Sequence, residues 1–147
     1  MKPTKNWQAL DLLLNHPDIF NTSGDDSTAH IKKVSSRNFV ENDNNKVFMW
    51  EGKGAWGFDS IADGIYEAHC GFLKEARGEK ADEYSKSVIS EMFKSQRAKK
   101  IIALSKETYP NVGRFLERIG FGFLKTVKNG TMVGGKKVKE QVYLCLG

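Results

Sequence analysis

The chain has 147 residues, 39% of them hydrophobic, 28% charged and 11% aromatic, which fits one domain able to bury on the order of two-thirds of its unfolded surface. That balance excludes wholesale disorder and a disulfide-stapled miniprotein, and no apolar run approaches the ~18 residues that a membrane helix needs. Lys plus Arg is 23 against 18 for Asp plus Glu, a net charge of +5 that tolerates an anionic ligand but is too mild for a nucleic-acid footprint.

In chain order, Trp7, Leu10, Leu13 and Leu14 recur at helical spacing and predict a short amphipathic helix over residues 5–15. His16-Pro17 ends it, because the residue before a proline is pushed out of the helical region. Residues 21–27, with Gly24, Asp25 and Asp26, read as a surface loop, residues 30–40 as strand or helix, and residues 42–45 as a turn. Residues 47–50, 55–61 and 65–73 then read as strands separated by Gly52-Lys53-Gly54 and Asp63-Gly64, an antiparallel meander. Ala81, Tyr84, Val88, Met92 and Phe93 share one face of a helix near residues 81–95. Residues 100–104 form a short apolar run, as a strand buried on both faces would. Pro110 suits a first helical position, Val112, Phe115, Leu116 and Ile119 supply the core face, and Gly120 is the expected stop. Two last strands, 121–127 and 138–146, are separated by Asn129-Gly130 and Gly134-Gly135. Strand 65–73, the helix and strand 100–104 have the pattern of a βαβ unit, so those strands should be parallel with a right-handed connection. The fold class expected is α/β (α+β), a mixed sheet with helices on both faces.

The two cysteines, Cys70 and Cys145, sit in apolar strand-like runs and are expected as buried free thiols. The first residues lack an apolar h-region, so the default expectation is a cytoplasmic protein. Chemistry centres on residues 75–81. A glycine-containing turn at a helix N-terminus leaves backbone N–H groups unpaired beside the positive dipole end, where phosphate is the natural ligand. Arg77 and Lys80 would add charge-assisted contacts. The competing reading is a capped turn carrying solvated charges.

The run Ile65-Tyr66-Glu67-Ala68-His69-Cys70-Gly71-Phe72-Leu73 followed by Glu75-Ala76-Arg77-Gly78 resembles the core of the GNAT (acyl-CoA N-acyltransferase) superfamily. Phe115-Leu116-Glu117-Arg118-Ile119-Gly120-Phe121 is similar to that family's closing helix and its Gly-Phe ending. Element order agrees over residues 45–147, and the flavour is that of GNAT-like proteins of tailed bacteriophages, some of them virion or head-assembly components.

The resemblance implies a single GNAT-like domain over residues 1–147 whose strand before the glycine turn splays from its parallel neighbour. Pantetheine of acetyl-CoA, the acyl donor, would pair with backbone around Phe72 and Leu73. The diphosphate would sit on Arg77, Gly78, Glu79, Lys80 and Ala81, with Asn111 near the start of the closing helix. Glu67 and His69, on one face of the strand, stand where family bases take the proton of an amine acceptor. The chain also departs from the family. Lys80 and Asp82 occupy positions usually held by small residues, and Asp82 sets a negative charge beside the expected diphosphate. Leu116 stands where a tyrosine often protonates the thiolate, leaving Tyr109 or Tyr143 as substitutes. Asn111 is out of step behind Pro110.

Other readings stand beside these. Glu67 pairs with a surface lysine, or His69 is a hydrogen-bonded cleft or core histidine. His16, His30, Asp25 and Asp26 have no metal-ligand spacing, so no metal is expected. Lys94, Arg97, Lys99 and Lys100, with Lys125, Lys128, Lys136, Lys137 and Lys139, read as solvated faces rather than a contact surface for an acidic protein or nucleic acid, and Trp50, Trp56 and Phe58 as packing rather than a base-stacking platform. Three functions follow: an N-acetyltransferase acting on a primary amine, a non-catalytic protein whose partners are phage structural proteins in the host cell or virion, and an acyl-CoA sensor. Residues 21–27 and 134–137 are the candidate acceptor loops. No membrane or nucleic-acid partner is expected.

Overall fold

The computed structural model describes residues 1–22 and 31–147, so most of the expected loop at 21–27, with Asp25, Asp26 and His30, lies outside the described residues. Helix α1 (Trp7–Leu14) is capped by Asn6, whose side chain accepts the Ala9 N–H at 3.0 Å. His16-Pro17 ends it and at once starts a second helix, α2 (Pro17–Phe20), because proline suits a first helical position and His16 Nδ1 caps the Asp18 N–H at 3.1 Å. Of the ambiguous stretch at 30–40, residues 37–40 fall in α3 (Arg37–Glu41), whereas residues 31–36 form neither helix nor strand.

Six strands follow: β1 (Lys46–Trp50), β2 (Gly54–Ala62), β3 (Ile65–Phe72), β4 (Lys100–Lys106), β5 (Gly122–Val133) and β6 (Lys136–Cys145). Helix α4 (Glu79–Lys94) joins β3 to β4, and α5 (Pro110–Arg118) joins β4 to β5. The strand order is β1-β2-β3-β4-β6-β5, antiparallel except for the β3–β4 pair, so the expected mixed sheet holds.

Alternation along the strands divides the interior in two. Phe48, Trp56, Phe58, Tyr66, Ala68 and Phe72 pack with Val88, Met92 and Leu116 of α4 and α5. Val47, Ala55 and Leu73 pack on the opposite face with Leu10, Leu13, Ile19 and Val40 of α1–α3. Trp56 and Phe58 are buried and Trp50 partly so, as packing residues.

Three expectations change. β4 is not covered on both faces: Ile101, Ala103 and Ser105 are buried, whereas Leu104 between them is exposed. The last hairpin turns at Gly134-Gly135, whose φ angles of 58° and 78° suit a tight turn, and Asn129-Gly130 falls inside β5 within a register shift between Val127 and Thr131. Cys145 is a buried free thiol, but Cys70 is exposed. Among the described residues no helix is long and apolar enough to cross a membrane, and no group of three or more His, Cys, Asp or Glu could hold a metal.

Candidate active site

β3 and β4 pair only from Ile65↔Lys100 to Ala68↔Ala103. Beyond that point β3 stays on β2 through Phe72, and β4 stays on β6 through Lys106, so the two strands part. Leu73 donates its N–H to Lys53 O at 2.8 Å, which fixes the parity of the β2–β3 ladder. Gly71 and Leu73 therefore direct their backbone groups at β2, while Cys70 and Phe72 direct theirs to the side that β4 has left.

The strand runs into a turn that ends on Gly78, with φ 113° and ψ −152°, a conformation essentially reserved for glycine. α4 then begins, and its first intrahelical bond is Asp82 N–H to Gly78 O at 3.0 Å. The amides of Glu79, Lys80 and Ala81 precede that bond and have no carbonyl a turn below them to bond. A Cβ at Gly78 would meet nothing within 4 Å, so the cost of Gly78→Ala is backbone strain alone. We expect a loss of about 1–3 kcal/mol, read from urea midpoints at constant m.

The gap between the strands, the turn and the start of α5 bound an open cleft of about 360 Å³. Of the residues expected to hold the ligand, Phe72, Arg77, Gly78, Ala81 and Asn111 line it. Leu73, Glu79 and Lys80 do not: Leu73 is buried in the α1–α3 cluster, and Glu79 and Lys80 face solvent. Glu67 and His69 lie at the apex of the gap on the face of β3 that Gly71 and Leu73 share, their side chains 3.9 Å apart. Glu67 is thus beside a histidine rather than a surface lysine, with its side chain 31% exposed against 62% for His69. Cys70 also lines the cleft, where solvent reaches it.

No family model matches the sequence, and no curated protein matches it. Among solved structures, the microcin C7 self-immunity acetyltransferase MccE, in complex with acetyl-CoA and AMP, superposes with a TM-score of 0.73 at 15% identity, over 100% of this chain and 91% of that one. Spermidine/spermine N-acetyltransferase SpeG from Vibrio cholerae, in complex with manganese ions, gives 0.65 at 13% identity over 76% of this chain and 70% of that one. A dodecameric SpeG structure from the same organism gives the same values. The chain has the GNAT fold. At these identities the likeness is one of fold alone.

Within the GNAT fold, the departures seen in the sequence find their surroundings. Asp82 does not stand bare beside the turn: Arg118 of α5 grips it with two hydrogen bonds, Nε to Oδ2 at 2.7 Å and Nη2 to Oδ1 at 3.3 Å. Arg77 is engaged elsewhere, its Nε on Phe72 O and its Nη2 on Asp18 O, both at 3.2 Å. Asp18 also accepts the Lys74 N–H at 3.0 Å, a bond that holds its carboxyl below the usual range. The turn is therefore strapped to α2, and Ile19 and Thr22 join the cleft wall. Asn111 lines the cleft with its side-chain oxygen on the Arg114 guanidinium. Leu116 is buried at the tyrosine position. Of the two substitutes, Tyr109 lines the cleft and is 38% exposed. Tyr143 is buried, its hydroxyl lies where a Cβ on Gly113 would fall, and burial raises its pKa, with Glu117 adding to the effect. Sequence reasoning missed Arg118, Cys70, Ile19 and Thr22. Only Arg118 left a trace there, since a carboxylate at Asp82 calls for a cation from a neighbouring element.

Proposed function

We propose that the chain is a GNAT-type N-acetyltransferase that moves an acetyl group from acetyl-CoA to a primary amine. The observation that carries this reading is the parting of β3 and β4 after Ala68↔Ala103, with Glu67 at the apex and unpaired helix-start amides at the far end. The surroundings fit the donor chemically. The backbone of Cys70 and Phe72 offers an amide edge for an extended pantetheine chain, except that Phe72 O is held by Arg77. The amides of Glu79, Lys80 and Ala81 offer a nest for a diphosphate.

A thioester at the apex lies where the cleft passes between the parted strands, with Glu67 and His69 on the face of β3 that Gly71 presents to Ile19. The amine nitrogen attacks the thioester carbonyl, the C–S bond breaks, the proton lost by nitrogen passes to Glu67 directly or through one water, and the thiolate takes a proton. Tyr109 is the hydroxyl in the cleft wall that can give it. His69, 3.9 Å from Glu67, is within reach to relay the proton that arrives there.

MccE and SpeG are both acetyltransferases, and SpeG acts on spermidine, which supports the reaction class while leaving the acceptor to experiment. The phage-assembly alternative drew on Lys80, Asp82 and Leu116. Lys80 lies outside the cleft lining and Asp82 is paired with Arg118, so no structural observation favours that alternative.

Isothermal titration with acetyl-CoA, followed by transfer assays on an amine panel that includes spermidine, tests the proposal. Saturable binding and N-acetylation of at least one amine are expected. Absence of binding at millimolar ligand overturns it. Binding without transfer to any amine selects the sensor reading.

A further inference from the structure

We infer that Arg118, reaching across from α5, is the cation that makes the diphosphate turn usable, by cancelling the charge of Asp82 at the cleft wall. The inference rests on the acetyl-CoA reading above and assigns a role that the turn's own residues do not fill. Arg77, the cation expected there, has its guanidinium on two backbone carbonyls, Phe72 O and Asp18 O. Lys80, the second, is exposed and outside the lining. Asp82 does line the cleft, with its side chain only 18% exposed, one residue after the last of the unbonded amides. Left alone, a carboxylate so placed would repel an incoming diphosphate across a partly desolvated wall.

Arg118 answers this with a planar fork, two parallel hydrogen bonds on the two carboxylate oxygens. Its guanidinium rests near the face of Phe115, 5.8 Å from the ring centroid, and keeps 53% of its side-chain surface open. It is thus held at the mouth with donors to spare, since a guanidinium carries five N–H groups. The pair also ties the start of α4 to the end of α5, the two helices between which the ligand must pass. Small residues at this turn would admit a phosphate by leaving space. This chain admits it by pairing a charge.

The test is calorimetric titration of the full chain and its variants with coenzyme A and with pantetheine, which lacks the diphosphate. R118Q exposes the carboxylate and is expected to weaken coenzyme A binding roughly tenfold to a hundredfold, with pantetheine affinity unchanged. D82N should bind coenzyme A as tightly as the unaltered chain or tighter. D82N/R118Q, with neither charge, should recover to within about fivefold of it, because the backbone nest remains. That recovery also shows that R118Q lost binding through charge rather than through misfolding. R118K keeps the cation without the fork and should fall between. The inference is overturned if R118Q binds coenzyme A normally, if it weakens pantetheine equally, or if the double variant stays as weak as R118Q. Failure of the unaltered chain to bind coenzyme A would instead remove the acetyl-CoA reading itself, and this inference with it.

Discussion

Glu67→Gln should lower kcat for acetyl transfer by about 10²–10⁴-fold while leaving the affinity for acetyl-CoA within about twofold. The substitution keeps shape and removes only the capacity to accept a proton. Glu67 stands at Ile102 on the last paired stretch of β3 and β4, so its backbone is fixed from both sides by Asp59 of β2 and Ile102 of β4. That rigidity makes a pure change in kcat the expected result. His69→Gln should cost less, about tenfold, because the imidazole is more exposed and lies past the end of the pairing. Raising the pH should partly rescue Glu67→Gln, since an amine that loses its proton to solvent no longer needs a base. Should His69→Gln prove the more damaging change, the two roles are exchanged. Should both variants keep full activity, neither side chain is the base.

The meander, the crossover helix and the parallel pair were legible because their signals are local. Gly52 and Gly64 adopt positive φ in the two turns that sequence marked, and Ala81, Val88 and Met92 fall on the buried face of α4 at helical spacing. That Glu67 and His69 share a face follows from the period of two along any strand. What was not legible depends on partners far away in sequence. Cys70 sits in an apolar run and alternates with buried residues, yet it opens to solvent because β4 leaves its neighbour after Ala103. Leu73 was expected at the ligand's backbone edge, but the parity of its bond to Lys53 turns it to β2, a matter of register that no single strand reveals. Asn129-Gly130 is the stronger dipeptide for a tight turn, but continued pairing of Thr131, Met132 and Val133 with Val138, Lys137 and Lys136 outweighs it and moves the turn outward. The Asp82–Arg118 pair joins positions 36 residues apart, and only the packing of α5 beside α4 brings them together.

The largest effect on stability is expected at Trp56, and it bears on the cleft as well. Trp56 is 1% exposed, stacks on Phe58 at 5.8 Å and on Phe115 at 6.2 Å between ring centroids, and donates its indole N–H to Ser85 Oγ at 2.9 Å. Phe115 in turn lines the cleft beside Phe72 and carries Arg118, so the indole is the floor beneath the proposed diphosphate wall. Trp56→Ala should cost about 3–5 kcal/mol through the cavity, a large part of the roughly 5–15 kcal/mol that holds a typical domain together. Its lost hydrogen bond can be separated from its lost volume. Trp56→Phe keeps an aromatic ring but strands the Ser85 hydroxyl, which is fully buried, and such an orphan costs about 1–3 kcal/mol. Adding Ser85→Ala removes the orphan. Trp56→Phe/Ser85→Ala should therefore unfold at a higher urea concentration than Trp56→Phe, even though Ser85→Ala alone destabilises the unaltered chain. If the second substitution simply adds its own loss to the first, the hydrogen bond contributes nothing, and the indole stabilises the cleft floor by packing alone.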